Sequence, residues 1–209
     1  MSHIEYDDKV WLNEACKLRG ICGEVEGARA RHQTALIIAY FEDTLAQLEN
    51  SLQARASAYQ RYSTFYLSTL CEVQPGTLIT ALAQDLRSST GLTARSAQPA
   101  PPLLVIIAEH YPLLTREQDL LPVVAALPCA GQICFHSALT DPLLRRFGSA
   151  SVQTLFKQLG VDEQTPLSHS LISSALRQAQ AKIGKKVDVE FGTRSAVDWF
   201  QLNLPDGNN

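Results

Sequence analysis

Apolar positions along the chain follow two alternating rhythms. In residues 5–30, Trp11, Leu12, Ala15, Leu18 and Ile21 or Cys22 recur at helical spacing. Gly20, Gly23 and Gly27 weaken that pattern and predict a break between Gly20 and Gly27. TALIIAYF (34–41) is a short apolar run of strand formers. EDTLAQLENSLQARA follows it, with Leu45, Leu48 and Leu52 three and four apart and Glu42 and Asp43 where negative charge favours a helix start. A strand and then a helix are expected. SAYQRYSTFYL is a candidate for a second strand. Gln74-Pro75-Gly76 marks a turn. GTLITALAQDL reads either as a strand running into a loop or as a short helix, with a strand over 77–82 favoured.

Residues 87–102, RSSTGLTARSAQPAPP, combine small polar side chains with three prolines and read as a loop or linker. LLVIIA (103–108) is apolar at every position, as a parallel strand covered on both faces requires. TREQDLLPVVAAL is a helix candidate interrupted by Pro122, and residues 132–138 form another strand candidate. Asp141 and Pro142 make a helix-start pair. Leu143, Leu144 and Phe147 form one apolar stripe, and Val152, Leu155, Phe156 and Leu159 form a second that Gly160 would end. From Thr165 and Pro166, Leu167, Leu171, Ile172, Ala175, Leu176, Ala179 and Ile183 outline a long amphipathic helix. Strands alternating with helices imply an α/β fold with a mostly parallel sheet. The expected division is a helical N-terminal segment (1–33), an α/β domain (34–165), and a helix with a tail (166–209).

Composition narrows the classes. The 209 residues are 45% hydrophobic and 19% charged, enough to bury a core and unlike a disordered chain. A net charge of -3 gives no drive towards nucleic acid or an anionic membrane. No apolar stretch approaches the roughly 20 residues a membrane span needs. MSHIEYDDKVW does not read as a signal peptide, and the five cysteines include no CxxC pair, so reduced thiols in a cytoplasm are expected.

The stretch from Leu139 to Val187 resembles SecA, the preprotein translocase motor. Arg145-Arg146-Phe147-Gly148 matches an R-x-F-G step and Leu159-Gly160 a Leu-Gly stop. Leu167-Ser168-His169 stands for an Ile-Glu-His step, with Ser168 in place of Glu, and Ala175 to Lys182 for an A-x-x-x-A-Q-x-K helix. Upstream, Glu109, Gly131, Phe135 and Leu139 keep their places without a gap. The resemblance implies a RecA-like second motor fold followed by the start of a scaffold helix. It also implies that helicase motif VI is degenerate. The two arginines that reach nucleotide phosphates in the family fall on Val123 and Ala126, its Gln falls on Leu120 or nearby, and a glycine becomes Pro122. Uncharged side chains cannot neutralise phosphoryl oxygens, and no G-x-x-x-x-G-K-[ST] occurs in these 209 residues. The expected role is a non-catalytic accessory or interaction factor of preprotein translocation. Its partner would be a translocation component, a preprotein or another motor fold, with no nucleic acid, cofactor or metal. The alternative is a small enzyme or nucleotide-binding protein with a ligand site at the carboxyl edge of the sheet.

Few residues offer chemistry. Cys134 and His136 alternate on one strand and read either as a thiol with its base or as ordinary sheet residues. Glu109 and His110 follow the 103–108 strand, where α/β folds take ligands, and are the candidate edge residues; a turn capped by polar groups is the competing reading. Asp141 reads as a helix cap rather than an acid, and His169 as a first-turn residue. Lys182, Lys185 and Lys186 suit a helix C-terminus or an acidic partner. Trp199 and Phe200 anchor a C-terminal helix or tail, or form a docking motif. Five scattered histidines show no metal-ligand spacing.

Overall fold

The computed structural model describes residues 6–66, 70, 73–87, 103–125, 127, 130–147 and 162–205. Most of the expected 87–102 linker, the stripe from Val152 to Leu159 with Gly160, and Ala126 lie outside the described residues.

The first element among the described residues is a strand, β1 (Asp7–Trp11), and not the expected helix. Its residues, DDKVW, do not alternate in polarity; parallel pairing with residues 134–138 makes it a strand, and Asn13 then caps α1 (Glu14–Ala30) by accepting the Cys16 N–H at 2.9 Å. The predicted break at the glycines is absent: α1 runs unbroken, held by buried Ile21, Cys22, Val25 and Ala28. Gly20 is required by packing, since a Cβ there would stand 2.0 Å from the Trp11 ring. β2 (Thr34–Ala39) is buried at every position, and α2 (Glu42–Ala54) follows. Both α1 and α2 end in a left-handed residue that is not glycine, His32 and Ala56, each with φ 53°. The bonds Ala56 N–H to Gln53 O and Ser57 N–H to Leu52 O close α2 as a Schellman motif.

β3 (Gln60–Tyr62) and β5 (Leu78–Leu82) follow, the latter as favoured over 77–82. β4 (Phe65–Tyr66) and β6 (Leu86–Arg87) pair in a small separate sheet. β7 (Leu103–Ile107) leads into α3 (Leu114–Ala125), which continues through Pro122 where an interruption was expected. β8 (Ala130–Ala138) and the short α4 (Pro142–Phe147) complete the strand–helix series.

The main sheet has the order β1-β8-β7-β2-β5-β3, with every pairing parallel. α1 and α2 cover one face, burying Val25, Leu45, Leu48 and Leu52 against Ala35, Ile37 and Ile106. α3 covers the other, with Leu120 and Val124 against Leu36, Ile38 and Val105. This is the α/β fold with a mostly parallel sheet and flanking helices that the sequence pattern implied.

The C-terminal region begins with Leu167, which bridges Val10 at the edge of the sheet through N–H···O bonds of 2.9 and 2.8 Å. The last long helix, α5 (Ser170–Gly184), therefore starts later than Thr165-Pro166 suggested, and His169 Nδ1 caps it by accepting the Leu171 N–H at 3.1 Å. α6 (Ala196–Asn203) buries Trp199 and Phe200 in a third core cluster with Val10, Phe41, Leu144, Ile172 and Leu176. These two aromatics are anchors, as expected. Among the described residues, no helix is long and apolar enough to cross a membrane.

Candidate functional site

Because every strand of the main sheet points the same way, the loops after them share one carboxyl edge. The chain leaves β2 through α2 towards one face and leaves β7 through α3 towards the other. Neighbouring strands whose connections diverge leave a crevice beyond their carboxyl ends. Here its rim is Tyr40-Phe41 after β2 and Glu109 to Pro112 after β7. Two cavities flank it. One, of about 350 Å³, is bounded by Lys17, Thr44, Glu109, Asp141 and Phe200. The other, of about 420 Å³, is bounded by Tyr40, Phe41, Arg87, Tyr111, Arg116 and Glu190.

Glu109 turns back into the protein. Its Oε1 accepts the N–H groups of Tyr40 and Phe41, both at 2.9 Å, and its Oε2 accepts the Thr44 hydroxyl at 2.5 Å. The carboxylate thus sits at the turn leading into α2, taking the N–H of its N-cap Phe41 and of Tyr40 before it, near the positive end of the helix dipole. Burial pushes its pKa up to about 7, against the pull of Lys17, Thr44 and the Phe41 N–H. Lys17 reaches the same region from α1. Its Nζ lies 3.2 and 3.3 Å from the Asp141 oxygens and 3.3 Å from Glu14. Burial alone would lower its pKa, but Asp141, Glu14 and Glu109 outweigh that and bring it to about 12. Asp141 precedes α4 as expected, yet its carboxylate holds the Ala138 N–H at 2.8 Å as well as Lys17, so a helix cap does not account for it.

His110 lies between two carboxylates. Nδ1 is 3.0 Å from Glu117 Oε1, while Nε2 is 3.1 Å from Asp8 Oδ1 in a close ion contact that lacks hydrogen-bond alignment. Burial alone would lower its pKa; Glu117 and Asp8 reverse this and raise it to about 10, so the ring is an imidazolium stacked on Phe135, with centroids 4.4 Å apart. Glu117 Oε1 also accepts the Tyr111 N–H at 2.9 Å and Gln180 Nε2 at 2.7 Å, and Gln180 donates to the Tyr111 carbonyl at 2.8 Å. This network ties β1, β7, α3 and α5 together. Both ring nitrogens of His110 face carboxylates inside the protein, which suits an anchored charge better than proton transfer to a ligand.

Cys134 and His136 sit mid-strand on β8, beneath α1. Both are buried, and they do not act as a pair. Trp11 Nε1 donates to His136 Nδ1 at 3.0 Å, occupying the lone pair a base would use. Burial lowers the His136 pKa, with Glu24 only partly offsetting it at 3.5 Å, and pushes the Cys134 thiol up to about 11. A protonated thiol is a poor nucleophile. Cys16, Cys22 and Cys134 are free thiols. Among the described residues, no group of three or more His, Cys, Asp or Glu side chains is placed to hold a metal ion.

The sequence reading missed Asp8, Lys17, Thr44, Glu117 and Gln180, which shape this edge. Lys17 had a visible signal: it occupies the apolar stripe of α1 with Ile21, Val25 and Ala28, an unfavourable place for a charge without partners.

No family model matches the chain. It is 24% identical to the protein translocase subunit SecA of Lachnoclostridium phytofermentans, over 97% of this chain and 24% of that protein. It is 24% identical to the SecA subunit of Syntrophomonas wolfei over 84% of this chain, and 22% identical to that of Caldicellulosiruptor saccharolyticus over 88%, each match covering 22% of the relative. The chain thus spans about a quarter of the length of these relatives. Among solved structures, the C-terminal part of the Fun30 ATPase domain matches 81% of this chain and 54% of its own, at 11% identity and a TM-score of 0.42. Over most of its length, the chain is similar to SecA.

Proposed function

We propose that the chain is a SecA-like interaction module, an accessory factor of preprotein translocation that does not cleave ATP by itself. In this reading residues 34–165 correspond to the second motor fold and 166–209 to the scaffold helix and its tail. Its partner is a translocation component, a preprotein or another motor fold, met in the cytoplasm.

The observation that carries the non-catalytic part is the carboxylate already seated at the turn into α2. A phosphate bound there would have to displace Glu109, a fully buried carboxylate that already satisfies two backbone N–H groups and a hydroxyl. Val123, which the resemblance aligns with a phosphate-contacting arginine, packs half-buried against the core on the α3 face. The extent of similarity to SecA supports the translocation part.

Calorimetric titration of the purified chain with ATP, ADP and GTP is expected to give no heat at micromolar concentrations, with no phosphate released. Either binding or turnover overturns the non-catalytic part. Capture from native lysate is expected to enrich a translocation component, and a capture lacking any such component removes the transport part. The two cavities at the carboxyl edge favour a second reading, a small-molecule site there. Calorimetric binding lost on filling one cavity, for example in Thr44→Trp, would favour it.

A further inference from the structure

Glu109 joins two cavities as well as two loops. The Tyr40-Phe41 turn lines the 420 Å³ cavity, while Thr44, one turn of chain later, lines the 350 Å³ cavity together with Glu109 itself. Two fastenings hold this turn to the segment after β7: the Tyr111 ring, which packs on Tyr40 and Phe41 with centroids 5.0 and 5.3 Å apart, and the Glu109 side chain, whose two N–H bonds and Thr44 hydroxyl bond are the polar part.

The charges around it leave the carboxylate undercompensated. α1 presents Glu14 and Lys17, the loop after β8 presents Asp141, and α2 presents Asp43, which lies 3.7 Å from Arg194. The neighbouring His110 lines the same cavity, but its charge is matched by its own two carboxylates, Asp8 and Glu117. Lys17 is therefore the cation left to offset Glu109, and it already contacts Asp141 and Glu14 directly. Three carboxylates share one ammonium, and the one without direct contact is the most deeply buried. Like charges in a low-dielectric site cannot all remain ionised at equal cost.

We propose that Glu109 is a proton-operated latch: ionised, it clamps the Tyr40-Phe41 turn and Thr44 to the end of β7; protonated, it loosens the turn that separates the two cavities. On proton uptake Oε2 becomes a hydroxyl donor, so the Thr44 hydroxyl must turn from donor to acceptor. The two N–H bonds then change from charge-assisted to neutral ones, roughly half as strong. Proton access is provided by the 350 Å³ cavity that Glu109 lines. A pKa raised to about 7 by burial puts the transition near neutrality. The latch does not depend on the translocation reading; it shares the Glu109 contacts with the non-catalytic one, so nucleotide binding that displaces Glu109 counts against both, while the carboxyl titration tests the latch alone.

The test is a carbon-13 NMR titration of the glutamate carboxyls, alongside amide hydrogen exchange at Tyr40 and Phe41 from pH 5.5 to 8.5, corrected for intrinsic rates. One carboxyl, absent from spectra of Glu109→Gln, is expected to titrate close to pH 7. Protection at the two amides is expected to fall about tenfold as pH drops through that midpoint. In Glu109→Gln the weaker protection is expected at every pH. The wild-type titration stands even if that variant folds poorly, the carboxyl then being assigned by Thr44→Val, which shifts its midpoint. A Glu109 midpoint at or below that of an exposed glutamate, or amide protection that is level across the range, overturns the proposal.

Discussion

Glu117 is the acceptor on which the His110 network converges. Replacing it by alanine removes the partner of three donors at once: His110 Nδ1 at 3.0 Å, the Tyr111 N–H at 2.9 Å and Gln180 Nε2 at 2.7 Å. Breaking a buried ion pair from one side costs roughly 3–5 kcal/mol, because the remaining charge stays buried. Stranding the Tyr111 N–H draws on the same network, so its cost of about 1–3 kcal/mol does not simply add. A loss of about 4 kcal/mol is expected for Glu117→Ala at pH 6. With a urea m-value of about 2–3 kcal/mol/M, the unfolding midpoint falls by roughly 1.5 M. Fluorescence of the buried Trp11 and Trp199 reports the transition.

The pH dependence separates this cause from simple cavity formation. The folded pKa of His110 is raised, to about 10, above an unfolded value of 6.5. Its contribution is therefore complete below pH 6.5 and lost as pH rises through 10, at about 1.4 kcal/mol per pH unit. Without Glu117 most of that contribution is gone, so the gap between wild type and variant is widest near pH 6 and narrows towards pH 10. A gap under about 1 kcal/mol at pH 6, or one that stays constant to pH 10, refutes the charged network and leaves a neutral histidine in its place.

Further outcomes follow from other contacts. Gly20→Ala drives a methyl into the Trp11 ring, 2.0 Å from its nearest atom, and is expected to cost about 1–3 kcal/mol with altered tryptophan emission. Ala56→Gly relieves a left-handed alanine at the exposed end of α2 and is expected to stabilise by about 1 kcal/mol, raising Tm by about 2–4 °C in calorimetry. Lys17→Met leaves Asp141 and Glu14 facing an apolar side chain, and a loss of about 3 kcal/mol is expected in urea unfolding at pH 7.

Local sequence pattern announced much of the fold. The apolar runs at Leu103–Ile107 and within Thr34–Ala39 became central strands because only a sheet covered on both faces buries every side chain. β1 was hidden because Trp11 also fits the helical spacing of α1, and its strand identity comes from pairing with β8, more than a hundred residues away. The glycines of α1 misled for a related reason: Gly20 answers to the Trp11 ring, a tertiary contact no window of sequence contains. Helix ends closed by His32 and Ala56 lack the expected glycine. At the carboxyl edge, Glu109 and His110 were found by position after a strand. Their partners Asp8, Thr44, Glu117 and Gln180 came from four separate elements and carried no shared motif.

The short contact between Val10 and Leu167 has a bearing on how this protein meets others. β1 borders the six-stranded sheet, and such a border offers free peptide groups to any extended chain that passes. Leu167 takes both peptide groups of Val10 in mid-strand, and the opposite border, β3, is three residues long. Neither rim gives an incoming strand room to zip up. At the main sheet, strand addition is thereby discouraged, as is self-stacking into fibres, and a protein that docks on its rims reads side chains more than backbone.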